Sequence, residues 1–104
     1  MKQHSTPQAS AATALSQLLS EHPSVTGLTW SINTLGVLEG VQHGETGQGQ
    51  VVDDCAQILG GTAARTVLTR AGDRLGLAEL VTVWRDVPIK VWASYPESPI
   101  GGAL

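Results

Sequence analysis

Two hydrophobic periods alternate along this chain. In "TPQASAATALSQLLSEHP", residues 6–23, Ala12, Leu15, Leu18, Leu19 and His22 recur at helical spacing and define one apolar stripe. Thr6 suits the N-cap of that helix and Pro7 its first position, where a missing N–H costs nothing. Pro23 disfavours helical geometry in the residue before it, so the helix is predicted to stop near His22. The period then drops to two. Leu28, Trp30 and Ile32 alternate with Thr29, Ser31 and Asn33, the pattern of a half-buried strand. Thr34-Leu35-Gly36 fits a three-residue hairpin loop with a left-handed glycine. That register sets Asn33 against Val37, Ile32 against Leu38 and Trp30 against Gly40, so the indole has room to lie across the glycine.

The polar segment "HGETGQGQ" leads into a second helical pattern, "QVVDDCAQILGG". Val51 or Val52, Cys55, Ile58 and Leu59 share a stripe, the aspartates occupy the first turn, and Gly60 ends the helix. "RTVLTR" is a short alternating strand and "AGDRLGL" reads as a turn. "ELVTVWRDVPIKVWAS" reads as a long hairpin turning at Arg85-Asp86, and "YPESPIGGAL" as a loosely held tail. The order α-β-β-α-β-β-β predicts an α+β fold with two helices packed on one face of an antiparallel sheet, since short hairpin loops dominate. The expected organisation is a single domain over residues 1–104, with 1–6 and 96–104 as loose tails.

A helix ending in His-Pro ("EHPSVTGLTWSI"), a "GVLEG" hairpin, a helix ending "ILGG" and a late "VPIKVWA" strand follow one another. Over residues 15–94 this pattern resembles a loose group of small α+β proteins of high-GC actinomycetes. The resembling features are structural, and what they imply is a fold without an activity.

Composition narrows the function classes. Of the 104 residues, 41% are apolar, enough for a modest core in a domain small enough to gain from dimerisation. Charged residues make up 14%, below the roughly 25% of an average soluble protein. Acidic residues dominate positions 1–61 and arginines positions 62–104, without a run of like charge. The net charge of −3 argues against nucleic acid as a partner. Cys55 stands alone, which excludes an internal disulfide and a cysteine-rich zinc site. No apolar run approaches the ~20 residues of a membrane span, and the first twenty residues lack a signal-type apolar core. A reduced, cytoplasmic protein without a membrane partner is the expectation.

No residue set assembles a familiar chemistry. Gly44, Gly47 and Gly49 precede a helix, but no lysine follows them, and Glu45, Asp53 and Asp54 would repel a phosphate. His43 and Glu45 sit on a glycine-flanked loop, a poor mount for acid–base catalysis. His22 is placed to cap a helix, and Cys55 lies on an apolar stripe as a buried thiol. The three histidines have no metal-ligand spacing. Arg70, Arg74 and Arg85 fall around two hairpin turns that could meet at one end of the sheet; solubility at turns accounts for them, and a partner-binding patch is the alternative.

The hairpin "TVWRDVPIKVWASY" carries the main lead. With Arg85-Asp86 as a two-residue turn, Trp84 lies opposite Val87 and Thr82 opposite Ile89, on the side of Val91 and Ala93. Val81, Val83 and Trp92 then share the second face with Lys90. A sheet covered on one side should have one polar face, and this one is apolar on both, so either the tail covers the second face or it meets another chain. The sequence therefore points to a small non-catalytic interaction or accessory protein, without cofactor or metal. It is expected to form a homodimer or meet a protein partner through Val81, Val83 and Trp92, with Arg70, Arg74 and Arg85 nearby. The alternatives are a ligand-binding protein or minor enzyme with a Trp-lined cleft between helix and sheet, and a nucleic-acid-binding regulator.

Overall fold

The computed structural model describes residues 6–42, 48–70 and 72–97. The chain runs α1 (Pro7–Glu21), β1 (Thr29–Ile32), β2 (Leu38–Gln42), α2 (Gln50–Leu59), β3 (Ala64–Arg70), β4 (Asp73–Trp84) and β5 (Val87–Pro96). The class is α+β and the element order is the one the two periods predict. The strands form one five-stranded sheet in the order β1-β2-β5-β4-β3. Its β2–β5 pair runs parallel and the other pairs antiparallel, so the sheet is mixed rather than wholly antiparallel. Two α-β-β units lie side by side, and β5 closes the gap between their hairpins. A tight turn forces β5 antiparallel to β4, and in that direction it meets β2 in the parallel sense.

Both helices cover the same face. The core joins Ala11, Ala14 and Leu18 of α1 and Val52, Cys55 and Leu59 of α2 to Leu38, Ala78, Leu80, Val87, Ile89, Val91, Ala93 and Tyr95 of the sheet. Burying one large aliphatic side chain stabilises a fold by about 1.5–3 kcal/mol, so this one layer supplies most of the driving force. α1 begins as predicted, with Thr6 Oγ1 accepting from the Ala9 N–H at 3.0 Å and Pro7 in the first turn. It ends at His22, whose backbone N–H donates to the Leu18 carbonyl. Its buried stripe, however, is Ala11, Ala14 and Leu18, whereas Ala12 and Leu19 face outward. Small residues let the helix lie close to β5, and Pro7 seats against Gly36, where any side chain would collide.

The first hairpin has the expected register, with Ile32 opposite Leu38 and Trp30 opposite Gly40. The Trp30 ring lies over Gly40, Gly36 has φ +81°, and Asn33 Oδ1 pins the loop by accepting from the Leu35 and Val37 N–H groups. Two boundaries differ from the sequence reading. Residues 73–77 are strand, not turn, and Tyr95 and Pro96 are strand, not tail. One contact explains both: the Tyr95 ring lies across Gly76, so the glycine marks a close approach within the sheet. The Arg74 carbonyl then accepts from the Glu97 N–H at 3.1 Å.

Candidate interaction surface

The uncovered face of the sheet, opposite the helices and under no described helix, is built by strand alternation. β4 presents Leu75, Leu77, Glu79, Val81 and Val83 there, and β5 presents Pro88, Lys90, Trp92 and Ser94. Thr29 and Ser31 of β1, Glu39 and Val41 of β2, and Ala64, Thr66 and Leu68 of β3 also lie on it. The two-residue turn sets this register. Arg85 and Asp86 both have positive φ, +52° and +66°, the mirror-image turn that matches strand twist. It places Trp84 opposite Val87 and Thr82 opposite Ile89, and leaves Val81, Val83 and Trp92 on the uncovered face. Val81 and Val83 are 70% and 65% exposed.

Polar residues divide the face. Trp92 Nε1 donates to Glu39 Oε2 at 2.8 Å, and Lys90 Nζ lies 3.2 Å from Glu79 Oε2. On one side of this band stand Val81 and Val83 with Pro88, next to the β4–β5 turn. On the other stand Leu75 and Leu77 with Leu68, which is 50% exposed. A shallow trough of about 430 Å³ runs there between Leu68, Leu75, Leu77, Glu79, Lys90, Trp92 and Ser94. The leucine patch escaped the sequence reading because residues 73–77 looked like a turn. The run Leu75-Gly-Leu77-Ala, with apolar residues at every other position on one face, was the signal available.

The arginines do not form one patch. Arg74 lies in the first residues of β4, opposite Thr69 of β3, and Arg70 pairs with Asp73. Arg85 follows the other end of that strand. A strand with a hairpin at each end carries its two turns at opposite ends, here roughly 35 Å apart at about 3.3 Å per residue. Arg85 is also engaged on the covered side. Its guanidinium forks onto Glu21 at 2.7 and 2.8 Å, reaches Gln17 Oε1 at 2.8 Å and lies 4.1 Å above the Trp84 ring. Arg74 lies 3.7 Å from Glu97. Arg65 makes a second fork, onto Asp53 at 2.9 and 2.7 Å, and donates to the Gln48 carbonyl. Each fork ties a helix to the sheet, and each holds its carboxylate below the ordinary range through those hydrogen bonds.

On the covered side the described residues leave an open, largely polar depression of about 360 Å³ between Ser10, Thr13, Ala14, Gln17, Arg85 and Val87. Trp30 rests on Gly40 and Trp84 under Arg85, so they do not wall a common cleft with Trp92, which is on the other face. Burial, then Asp54, pushes the Cys55 thiol up to about 11, which makes it a poor nucleophile. Among the described residues, no three of His, Cys, Asp and Glu gather as metal ligands, and no buried side-chain polar atom lacks a partner. No described helix is long and apolar enough to cross a membrane. His43, Gly44, Glu45 and Gly47 lie outside the described residues. No protein-family model matches the chain, no curated protein matches it, and no solved structure matches it.

Proposed function

We propose that this domain works by protein–protein contact, without catalysis, and self-associates through the uncovered face of its sheet. The supporting observation is the exposure of Val81 and Val83, 70% and 65%, on a face that also carries Leu68, Leu75, Leu77 and Trp92. The face is large enough. Four strands of this length cover roughly 30 Å by 20 Å, the order of the ~800 Å² per partner that a standard interface uses. It also carries both signs of charge at its centre, Lys90 between Glu39 and Glu79, which suits a second copy better than a strongly charged partner. A single buried thiol agrees with a cytoplasmic setting.

Light scattering on the intact chain tests this. An assembly larger than the monomer is expected at tens of micromolar, and Val81→Asp combined with Val83→Asp should remove the contact through this face while the folded circular-dichroism spectrum persists. A wild type that stays monomeric at those concentrations ends the reading. The trough beside Trp92 supports a second reading, a site for a small apolar ligand. Trp92 fluorescence titrated with such ligands separates the two: saturable quenching by a monomer favours the trough.

A further inference from the structure

The two edges of the sheet differ. β1 is four residues long and β3 is seven. Every β3 residue from Ala64 to Thr69 is exposed, with Val67 (44%) on the helix side and Leu68 (50%) on the other. Among the described residues β3 pairs with β4 alone, and α2 packs mainly against β4 and β5, reaching β3 through the Asp53–Arg65 pair. Sheet edges are normally blunted by proline, lysine, an inward charge, a bulge or brevity. β3 has no proline or lysine, runs in unbroken register with β4, and has the charge of Arg65 held by Asp53.

We propose that β3 pairs edge to edge with β3 of a second copy, antiparallel about a two-fold axis perpendicular to the sheet. The product is one continuous sheet, five strands from each copy. Such an axis keeps the faces aligned and must pass through a residue position. Val67 is the midpoint of Ala64–Arg70, so centring there pairs the strand over its full length. Val67 then faces its own copy on the helix side, and Thr66 faces Leu68 on the other. Arg65 falls opposite Thr69 and Ala64 opposite Arg70, so no arginine meets an arginine. A second copy supplies this match by itself. The inference does not rest on the uncovered face, although the pairing would bring the Leu68 side chains of both copies to its midline.

Cysteine cross-linking of the full chain tests both the pairing and its register. Cys55 is buried with its thiol pushed up to about 11, so it stays silent under mild oxidation. Val67→Cys places two sulfurs on the axis, within disulfide range. Leu68→Cys places them diagonally, with Cα atoms ~8 Å apart, out of range by strand spacing. Leu35→Cys, on an exposed loop, reports random collision. Under copper–phenanthroline, Val67→Cys should cross-link on the order of a hundredfold faster than Leu35→Cys, because paired neighbours see one another at millimolar effective concentration. Leu68→Cys should match the collision rate. In the wild type, β3 amide exchange should slow as protein concentration rises. A Val67→Cys rate no faster than Leu35→Cys, a faster rate for Leu68→Cys, or exchange independent of concentration would each overturn the proposal. Cross-linking of Val67→Cys that survives Val81→Asp with Val83→Asp separates this edge contact from the uncovered-face reading.

Discussion

Both faces of this sheet carry large apolar residues, and the two do different work. On β4, Leu80 is fully buried while its neighbour Val81 is 70% exposed. On β5, Val91 is buried and Trp92 is half-buried beside Glu39. Hydrophobicity therefore does not define the core here; helix cover does. The covered face is continuous and free of buried charge, whereas the other is split by the Glu39–Trp92 and Glu79–Lys90 contacts. A face interrupted by paired polar groups stays tolerable in water and can still be buried against a protein surface.

The sharpest test of that contrast is a pair of truncations one residue apart. Leu80→Ala should cost about 2–5 kcal/mol of unfolding free energy by urea titration, through lost burial and a cavity. Val81→Ala should stay within about 0.5 kcal/mol of wild type, measured on the monomer. Equal costs would mean that the second face is also core. The next largest effect is expected at Gly76, where a methyl group would run into the Tyr95 ring. Gly76→Ala should cost about 1–3 kcal/mol as overpacking, with a loss of near-ultraviolet tyrosine signal.

Smaller effects come from the forks that hold the helices down. Arg65→Ala should destabilise by about 1 kcal/mol or less, since both partners are partly solvated and screened. Arg85→Ala should do less, because the Arg85–Glu21 pair is the more open of the two. Both carboxylates titrate lower when folded, Glu21 from an ordinary 4.5 and Asp53 from 3.8, through arginine hydrogen bonds. Their contribution is therefore complete above those ordinary values and is lost as pH falls through the lowered folded ones. Thermal melts between pH 7 and pH 2 should show the acid-side decline reduced in Asp53→Asn. An unchanged acid limb would mean that the Arg65 fork contributes nothing.

Local chemistry made much of this architecture legible. Pro7, Gly36, Gly40 and Gly60 stand where backbone geometry demands them, and Arg85-Asp86 alone sets the register of ten residue pairs between β4 and β5. The uncovered Val81 and Val83 follow from that register by parity. The rotation of α1 was hidden because Ala11 and Ala14, its true core residues, weigh little beside Leu19 in any hydrophobic pattern. The leucine patch was hidden because Gly76 looks like punctuation until its partner Tyr95, nineteen positions on, is known. The forks join residues 12 and 64 positions apart, and no spacing rule connects those. The arginine cluster failed for a simpler reason, that consecutive hairpin turns share a strand and sit at its two ends.

The parallel seam between β2 and β5 has a consequence for synthesis. The strand at the centre of the sheet is the last of the five to leave the ribosome. Until it emerges, α1-β1-β2 and α2-β3-β4 are two separate units, each with an apolar hairpin and no shared neighbour. Folding must therefore wait for Val87–Pro96 and then complete both halves at once. A nascent chain stalled after Asp86 would expose two unpaired inner edges, β2 and β4, and present itself to chaperones in that state.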